Sequence, residues 1–480
     1  LQHNMANEEL IQRAAAVVPS ERQLKWQEME FYAFAHFGIN TFSGKNGHEW
    51  GVGSESPEMF NPTDFDADQW VAAVKSAGMT GLLLTAKHHD GFCLWPSEYT
   101  DHCVKNSPWR GGKGDVVREV SDACRRGGIK FGVYLSPWDR HASTYGTGKA
   151  YDDYYCNQLR ELLTNYGEIF CVWFDGACGE GPNGKKQEYD WARYYALIRE
   201  LQPEAVISVC GPDVRWCGNE AGKCRKSEWS VVPSTLMDVE RIAADSQQED
   251  DKNFAKKYNS TDEDLGSREA IAGAKKLIWF PAEVDTSIRP GWFYHKNQDR
   301  KVRSLKKLLE IYYSSVGANA SLLLNIPPDQ RGRFADPDVK RLQEMGDALR
   351  SAFRENLAAH AKAAASSEAD QAHAAQKALN ADQEEYWRAA DGVEQAEIIV
   401  DLGKPKTFSK VVLGEYLPCG QHIEQFTVSI EKHGKWKKAY AATVVGHKRI
   451  CLLKKTTAQR IKIVIDACRT FPTLRKLEVY

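Results

Sequence analysis

One carboxylate, Asp175, stands at the end of an apolar run and is the first candidate for chemistry. The six residues before it are apolar or aromatic, which predicts a strand buried on both faces. Gly176 follows and allows the backbone to turn at once. An unpaired carboxylate is costly to bury, so the position favours either a reactive group or a structural partner. The structural alternatives are a cap on the next helix or an ion pair with a buried arginine.

Other polar and aromatic residues fall at or just beyond the ends of further apolar runs. They are His36, Glu49, Trp50, His88, His89, Tyr134 and Trp138. Histidine, glutamate and tyrosine bond to hydroxyl groups, and tryptophan packs against C–H surfaces, so the set suits a polyhydroxylated ring with one apolar face. Adjacent strand residues point to opposite faces, so one ring of the His88–His89 pair could instead be a core histidine.

The same residues permit a second kind of chemistry. Histidines and a carboxylate at strand ends can bind zinc, so His36, His88, His89 and Asp175 are also candidate ligands of a metal-dependent hydrolase. Their spacing alone does not exclude this alternative.

The elements that position these residues alternate between strand-like and helical stretches from about residue 30 to 350. The predicted strands are 31–39, 81–86, 130–135, 169–174, 205–210, 277–283 and 321–326. The predicted helices are 68–77, 116–126, 151–165, 189–201 and 302–313. Repeated strand–helix units predict a (β/α)8-type barrel, whose active sites lie at the C-terminal strand ends. Residues 211–275 have weak periodicity and predict active-site loops.

The pattern changes after residue 350. Residues 358–378 are rich in alanine and predict a helix or a linker. Alternating or apolar runs then occur at 396–402, 410–414, 426–431, 450–453, 461–465 and 474–480. Glycine and proline separate them, which predicts an antiparallel β-sandwich, and the tail resembles the end of a discoidin-type jelly roll. The chain thus divides into a catalytic domain, 1–350, and a second domain, 351–480, that either binds carbohydrate or is purely structural.

Composition narrows the class of protein. The 480 residues exceed a usual single core, and 42% hydrophobic with 27% charged residues is ordinary for a globular protein. The net charge of −2 argues against a nucleic-acid partner, and no apolar run approaches the roughly 20 residues of a membrane span. The twelve cysteines fit neither a disulfide framework nor a zinc pattern. The chain opens at Leu1 rather than methionine, which predicts a removed signal peptide and a periplasmic or secreted protein, with the cytoplasm as the alternative.

Seven short runs together resemble glycoside hydrolase family 29, the α-L-fucosidases. In order, they are HFG at 36–38, EWG at 49–51, TAKHHDGF at 85–92, GVYLS at 132–136, WFDG at 173–176, RPGWF at 289–293 and LLLNIPP at 322–328. The resemblance extends from about residue 25 to 350, and the KHHDGF element is its most specific part.

The resemblance implies a retaining mechanism through a covalent glycosyl-enzyme, with Asp175 as the nucleophile and no metal or cofactor. It also implies which residues hold the fucose: His36, Glu49, Trp50, His88, His89, Tyr134 and Trp292. A retaining enzyme needs a second carboxyl group as acid and base.

Glu220 is the predicted acid/base. It lies in the Gly-rich run NEAG at 219–222, which resembles the element of the subfamily that cleaves α-1,3/1,4-linked fucose from branched glycans. Glu283, Asp213 and Glu228 are the alternatives, and Glu283 would fit a broad-specificity fucosidase. Arg215 and Trp216 could reach the aglycone sugars. A protein that keeps the pocket without catalysis, a fucose lectin, is the remaining alternative.

Overall fold

The computed structural model describes residues 2–43, 49–246, 264–382 and 384–480. The described residues up to Asn325 contain ten strands. The strands are β1 (Phe31–Ala35), β2 (Gly81–Lys87), β3 (Lys130–Leu135), β4 (Cys171–Phe174), β5 (Val206–Val209), β6 (Arg215–Trp216), β7 (Val231–Pro233), β8 (Leu277–Trp279), β9 (Ala282–Ser287) and β10 (Ala320–Asn325). Eight of them form one parallel sheet in the order β5–β4–β3–β2–β1–β10–β9–β6. A parallel bridge between Ser208 and Val214 links β5 to the residue before β6, so the sheet is a nearly closed barrel.

Helices surround this barrel and are capped by short polar side chains. The described residues include α1 (Gln2–Ala16), α2 (Glu21–Met29), α3 (Asn40–Ser43), α4 (Ala67–Ser76), α5 (Val116–Gly127), α6 (Lys149–Asn165), α7 (Trp191–Leu201), α8 (Val239–Asp245), α9 (Leu305–Ser315) and α10 (Asp336–Ala352). The carboxylates of Asp66 and Asp115 accept hydrogen bonds from the first turns of α4 and α5, where such caps stabilise a helix. In the described part of the chain, no helix is both long and apolar enough to cross a membrane.

The strands of the barrel are buried along almost their whole length, as is typical of parallel sheets covered on both faces. Their parallel register brings the residues that follow β1, β2 and β4 to the same rim. His36, His88 and Asp175 therefore lie together although they are far apart in sequence. The predicted barrel is confirmed.

Two parts of the predicted barrel were wrong in detail. The stretch 211–275 contains the barrel strand β6, which is only two residues long and carries no periodicity of its own. The predicted strand 277–283 is two elements. Residues of β8 pair antiparallel with β7 outside the barrel, and the barrel strand is β9. Pro281 lies between them and has no N–H group for a continuous ladder.

The described residues of the second domain contain eight strands. They are β11 (Lys362–Ala365), β12 (Trp387–Arg388), β13 (Ala396–Gly414), β14 (Ile423–Lys432), β15 (Lys435–Ala442), β16 (Arg449–Cys468), β17 (Thr473–Leu474) and β18 (Lys476–Val479). Six form an antiparallel sheet in the order β11–β13–β16–β14–β15 with β18 beside β13, and β12 pairs with β17. The predicted antiparallel domain is confirmed.

Its details also differ from the sequence pattern. Residues 358–378 contain the strand β11 and two short 3-10 turns instead of a helix. Each of the long strands β13 and β16 covers two predicted strands. Their pairing is irregular between Asp401 and Lys406 of β13, and the strands continue across this irregularity instead of ending. The sequence analysis missed β15, an edge strand whose lysines hide its alternation.

Polar contacts join the two domains. The carboxylate of Glu30 accepts hydrogen bonds from His447 at 2.8 Å and from Lys448 at 2.7 Å. The pKa of Glu30 lies well below its usual range because of these partners, with the Lys448 charge the largest favourable influence. Asn319, at the entrance to β10, accepts a hydrogen bond from the His447 backbone at 2.8 Å. These contacts fix the second domain against the barrel.

Candidate active site

A narrow cavity opens at the C-terminal ends of the barrel strands. Its lining combines aromatic rings, imidazoles and carboxyl groups from six or more separate segments. The lining residues are Phe34, His36, Trp50, His88, Tyr134, Trp173, Asp175, Glu220, Asp285 and Trp292. Seven of the nine predicted site residues are in this set, while Glu49 and His89 lie immediately behind it.

Asp175 follows β4 and projects its carboxylate into the cavity. One oxygen, Oδ2, accepts a 2.6 Å hydrogen bond from the Tyr134 hydroxyl. The other, Oδ1, accepts one from the Ala177 backbone N–H at 2.9 Å. Burial raises the pKa of Asp175, and these hydrogen bonds oppose that rise. Among the described residues no arginine or lysine forms an ion pair with Asp175, so the structural alternative of a buried arginine partner was wrong.

The histidines are neutral hydrogen-bonding groups. Burial lowers the pKa of His36 to about 3 and holds the pKa values of His88 and His89 well below their usual range. His36 shares a 2.8 Å hydrogen bond between its Nδ1 and Asn325 Oδ1, and His89 Nδ1 shares one of 2.7 Å with Ser136 Oγ. His88 lines the cavity, and His89 lies behind it with its Nε2 3.7 Å from Asp175 Oδ2. Both imidazoles can face this region because the chain leaves β2 at Lys87 and turns.

Two imidazole nitrogens remain available to a ligand. His88 Nδ1 and His89 Nε2 are buried and have no hydrogen-bond partner within the described part of the chain. A buried polar atom without a partner is costly, so such atoms indicate contact with a ligand. His88 lies parallel to the Tyr134 ring at 5.3 Å, which fixes its orientation toward the cavity.

The same imidazoles and Asp175 could also hold a metal ion. One ligand atom each from His88, His89 and Asp175 lie within 4.8 Å of one another. His36 is not part of this group, and its Nδ1 bonds to Asn325. The four-ligand set expected from sequence is therefore reduced to three.

Tryptophans form the walls of the cavity. The Trp292 ring lies 5.2 Å from the His36 ring, and the Trp50 ring lies 5.2 Å from the His89 ring. Trp173, which the sequence analysis did not select, lines the base of the cavity. These rings give one side of the cavity the apolar surface that a sugar ring or a methyl group requires.

Glu49 supports this wall from behind. Its carboxylate accepts hydrogen bonds from the Phe293 backbone at 2.5 Å and from His295 Nε2 at 2.8 Å. Gly291 leaves room for that carboxylate, since a Cβ at this position would lie 2.5 Å from Glu49 Oε1. Glu49 thus fixes the turn that carries Trp292.

The loop after β6 brings Glu220 into the same cavity. Asn219 accepts a 3.0 Å hydrogen bond from the Ala221 backbone, and Thr286 donates one of 3.0 Å to the Glu220 carbonyl. Gly222 has a φ of +82°, a conformation that favours glycine. The tight turn therefore depends on the glycine and asparagine of the NEAG run, and it directs the Glu220 side chain inward.

Comparison with known proteins decides the family. Residues 2–352 match the α-L-fucosidase family, and residues 362–475 match the F5/8 type C domain. The chain belongs to the α-L-fucosidase family, glycoside hydrolase family 29.

Several relatives resemble the whole chain. α-L-fucosidase 1 of Arabidopsis thaliana is 40% identical and covers 96% of this chain and 87% of its own length. The crystal structure of a putative α-L-fucosidase from Bacteroides ovatus has 43% identity and a TM-score of 0.84, and covers 99% of this chain and 76% of its own. A Ruminococcus gnavus family 29 fucosidase in complex with fucose has 32% identity and a TM-score of 0.82, and covers 97% and 95%.

Two of the alternative acids in this fucosidase are engaged in structural ion pairs. Asp213 accepts two 2.8 Å hydrogen bonds from Arg199 and a third from the Ile207 backbone. It thereby stabilises the short connection between β5 and β6. Glu228 is buried and pairs with Arg215 at 2.5 Å. Arg215 is itself buried, so the expectation that it reaches the aglycone was wrong.

Glu283 lies deeper than Glu220. Its Oε1 accepts a 2.8 Å hydrogen bond from Trp173 Nε1, and its Oε2 accepts one from the Tyr32 hydroxyl. Burial raises the pKa of Glu283 to about 7. Glu283 is not among the residues that line the cavity, although it lies beneath Trp173, which does.

Asp285 is a site residue that the sequence analysis missed. It lines the cavity, and its Oδ1 accepts a 3.0 Å hydrogen bond from Trp216 Nε1. Burial, followed by the nearby Glu283 carboxyl, raises the pKa of Asp285 well above its usual range. The sequence could have indicated Asp285 through its spacing from Glu283. The two carboxyls are two residues apart in β9, and strand residues two apart point to the same face.

We expect Tyr134→Phe to shift the acid limb of the pH–activity profile to higher pH. The hydroxyl of Tyr134 lowers the pKa of Asp175, so its loss raises that pKa, and the carboxylate becomes ionised only at higher pH. The measurement is kcat/KM as a function of pH on an α-L-fucoside that the unmodified enzyme hydrolyses readily. Tyr155→Phe is the matched control, because the hydroxyl of this buried tyrosine bonds to the Leu135 carbonyl. If the acid limb does not move in Tyr134→Phe, or moves equally in both variants, the Tyr134 hydroxyl does not control the ionisation of Asp175.

Proposed function

We propose that this fucosidase is a retaining exo-enzyme that releases terminal α-1,3/1,4-linked L-fucose from branched oligosaccharides such as Lewis-type structures or N-glycan antennae. The observation that carries the proposal is that Asp175 and Glu220 line one cavity. Asp175 accepts hydrogen bonds on both oxygens, which favours its ionised form and suits a nucleophile.

The reaction takes two steps. In the first, a carboxylate oxygen of Asp175 attacks the anomeric carbon while Glu220 gives its proton to the leaving oxygen. In the second, Glu220 takes a proton from water, and that water releases fucose from Asp175. Retaining enzymes of this kind place the two carboxyl groups about 5–5.5 Å apart.

The remaining lining residues divide between the two faces of the sugar. His36, His88 and Tyr134 offer neutral donors and acceptors for hydroxyl groups. Trp292 offers an apolar surface to the C5 methyl group, where burial contributes about 0.8 kcal/mol per CH₂-sized group.

The choice of Glu220 over Glu283 rests on access. Both oxygens of Glu283 already accept hydrogen bonds from Trp173 and Tyr32. An acid/base must reach the leaving oxygen and then a water molecule, which favours a carboxyl on a loop at the cavity mouth. Glu220 meets that requirement, and its NEAG turn supports the α-1,3/1,4 linkage preference.

We expect Asp175→Ala to lose nearly all turnover and Glu220→Ala to lose roughly 10²–10⁴-fold on a branched trisaccharide. The Glu220→Ala loss should be much smaller on an aryl fucoside, because a good leaving group needs no proton. The measurement is kcat/KM on both substrates, with unfolding monitored to verify the fold. Glu200→Ala, at an exposed position on α7, is the control. Near-normal activity of Asp175→Ala would contradict its assignment as the nucleophile. Equal losses of activity by Glu220→Ala on both substrates would indicate that another residue is the acid.

We also expect rapid fucose release from a Lewis-type trisaccharide and little release from an aryl α-L-fucoside, with a strong chelator present throughout. A site built around Glu220 should use binding to the branching sugar for catalysis. Efficient aryl hydrolysis would favour the broad-specificity alternative with Glu283 as the acid. Release from neither substrate would favour a lectin.

The chelator tests the metal alternative. The close approach of His88, His89 and Asp175 is the observation that favours it. Loss of activity in chelator, restored by zinc, would replace the two-carboxylate mechanism with metal-assisted hydrolysis.

We further propose that the enzyme acts in the periplasm or outside the cell. No disulfide joins any of the twelve cysteines, all of which lie in the described ranges. Burial raises the pKa of thiols such as Cys93, Cys171 and Cys210 well above its usual range, which slows their oxidation, so free thiols are compatible with such a compartment. Fractionation of the source cells is the test, and activity confined to the cytosol would contradict it.

A further inference from the structure

A second cavity lies at the junction of the two domains. It has a volume of about 540 Å³, which is within the range of small-molecule sites. The loop that follows Glu220 forms one wall through residues 224–226, α9 forms the second, and strands β15 and β16 form the third. The cavity and the catalytic site thus lie on different sides of one loop.

Cationic side chains dominate the charge of this junction cavity. Arg225, Lys226, Lys306 and Arg449 line it, and Glu310 is the one carboxylate among its described lining residues. Arg225 is paired with the Glu228 carboxylate at 3.6 Å, so the positive charge comes mainly from the two lysines and Arg449. Lys226 and Lys306 are exposed. The excess of positive charge favours an anionic ligand.

Arg449 is a buried guanidinium in the wall of this cavity, and Tyr440 of the same lining is one of its hydrogen-bond partners. The residue is 6% exposed, and its Nη1 donates a 3.1 Å hydrogen bond to the Lys226 carbonyl. Its Nε is buried and has no hydrogen-bond partner among the described residues. A buried guanidinium N–H without an acceptor is unfavourable, and an anionic oxygen in the cavity would satisfy it.

The rest of the lining is apolar and aromatic. Tyr313 and Leu309 from α9 face Tyr440 and Ile450 from the second domain, and Leu452 at the rim is 49% exposed. Small inorganic anions have no apolar surface to place against such walls. A sugar ring that carries an acidic group has both an apolar C–H face and an anionic oxygen.

We propose that this junction cavity binds an acidic sugar unit, distinct from the fucose that the catalytic cavity takes. Arg449 and the lysines hold the acidic group, and Tyr313 and Tyr440 contact the ring. The proposal does not depend on the linkage that the enzyme cleaves or on the identity of its acid/base.

The test is calorimetric titration of the full chain at low salt with galactose 6-sulfate, galactose and sodium sulfate. Saturating L-fucose is present throughout to occupy the catalytic cavity. We expect galactose 6-sulfate to bind and both other probes to bind at least about tenfold more weakly, since each lacks one half of the recognised chemistry. Added sodium chloride should weaken the binding, because the lysines are exposed to solvent.

A double variant, Lys226→Gln with Lys306→Gln, should weaken galactose 6-sulfate binding about tenfold, because it removes two of the four cations. The matched control is Lys185→Gln with Lys340→Gln, at exposed positions outside the cavity. It should bind as the unmodified chain does. Equal binding of galactose and galactose 6-sulfate, equal binding of sodium sulfate, absence of binding, or an unaffected double variant would each overturn the proposal.

Discussion

The catalytic site depends on keeping one buried carboxylate ionisable. Burial at the end of β4 raises the pKa of Asp175, and the nearby imidazoles carry no charge to oppose that rise. Directed hydrogen bonds, from Tyr134 and from the backbone of Ala177 and Gly176, favour the anion. Tyr134 comes from the neighbouring strand β3, so the parallel register of β3 and β4 is itself a condition for the chemistry. A shift of one residue would turn the hydroxyl to the other face of the sheet.

The interior of the barrel holds two further carboxyl groups, and their neighbours determine where protons reside. Trp173 and Tyr32 donate to Glu283, and Trp216 donates to Asp285. Asp285 nevertheless has a strongly raised pKa because it is buried beside Glu283, and like charges close together cannot all ionise. These neighbours favour the neutral form of Asp285, whereas the hydrogen bonds to Asp175 favour its anion. Trp173 connects the two regions, since it lines the cavity and also binds Glu283.

The sequence predicts those features that one segment carries alone. The strand before Asp175, the (β/α)8-type barrel and the Gly-rich turn at Glu220 all follow from local patterns. Contacts between distant segments were not predictable in this way. Among the described strands, β6 pairs only with β9, and Asp285 looks like an ordinary strand residue until the barrel closes around it. Asp213 and Glu228 are poor candidates for the acid because they form ion pairs with Arg199 and Arg215. The sequence spacing of these partners does not predict the pairs.

The second domain contributes to the catalytic site through the loop that carries Glu220. Arg449 donates to the Lys226 carbonyl, and the hydroxyls of Ser227 and Thr443 share a 2.6 Å hydrogen bond. Asn319 donates to the Glu228 carbonyl at 2.8 Å while it accepts from the His447 backbone, so one side chain joins β10, the loop and the second domain. The barrel holds the other end of the loop through Thr286. Glu220 is the proposed acid/base and lies on a loop without regular structure. Such a role needs fixed loop ends, because a displacement of about 1 Å can cost about 10²-fold in rate. Fusion of the antiparallel domain to the barrel therefore has a physical reason that does not require the domain to bind sugar.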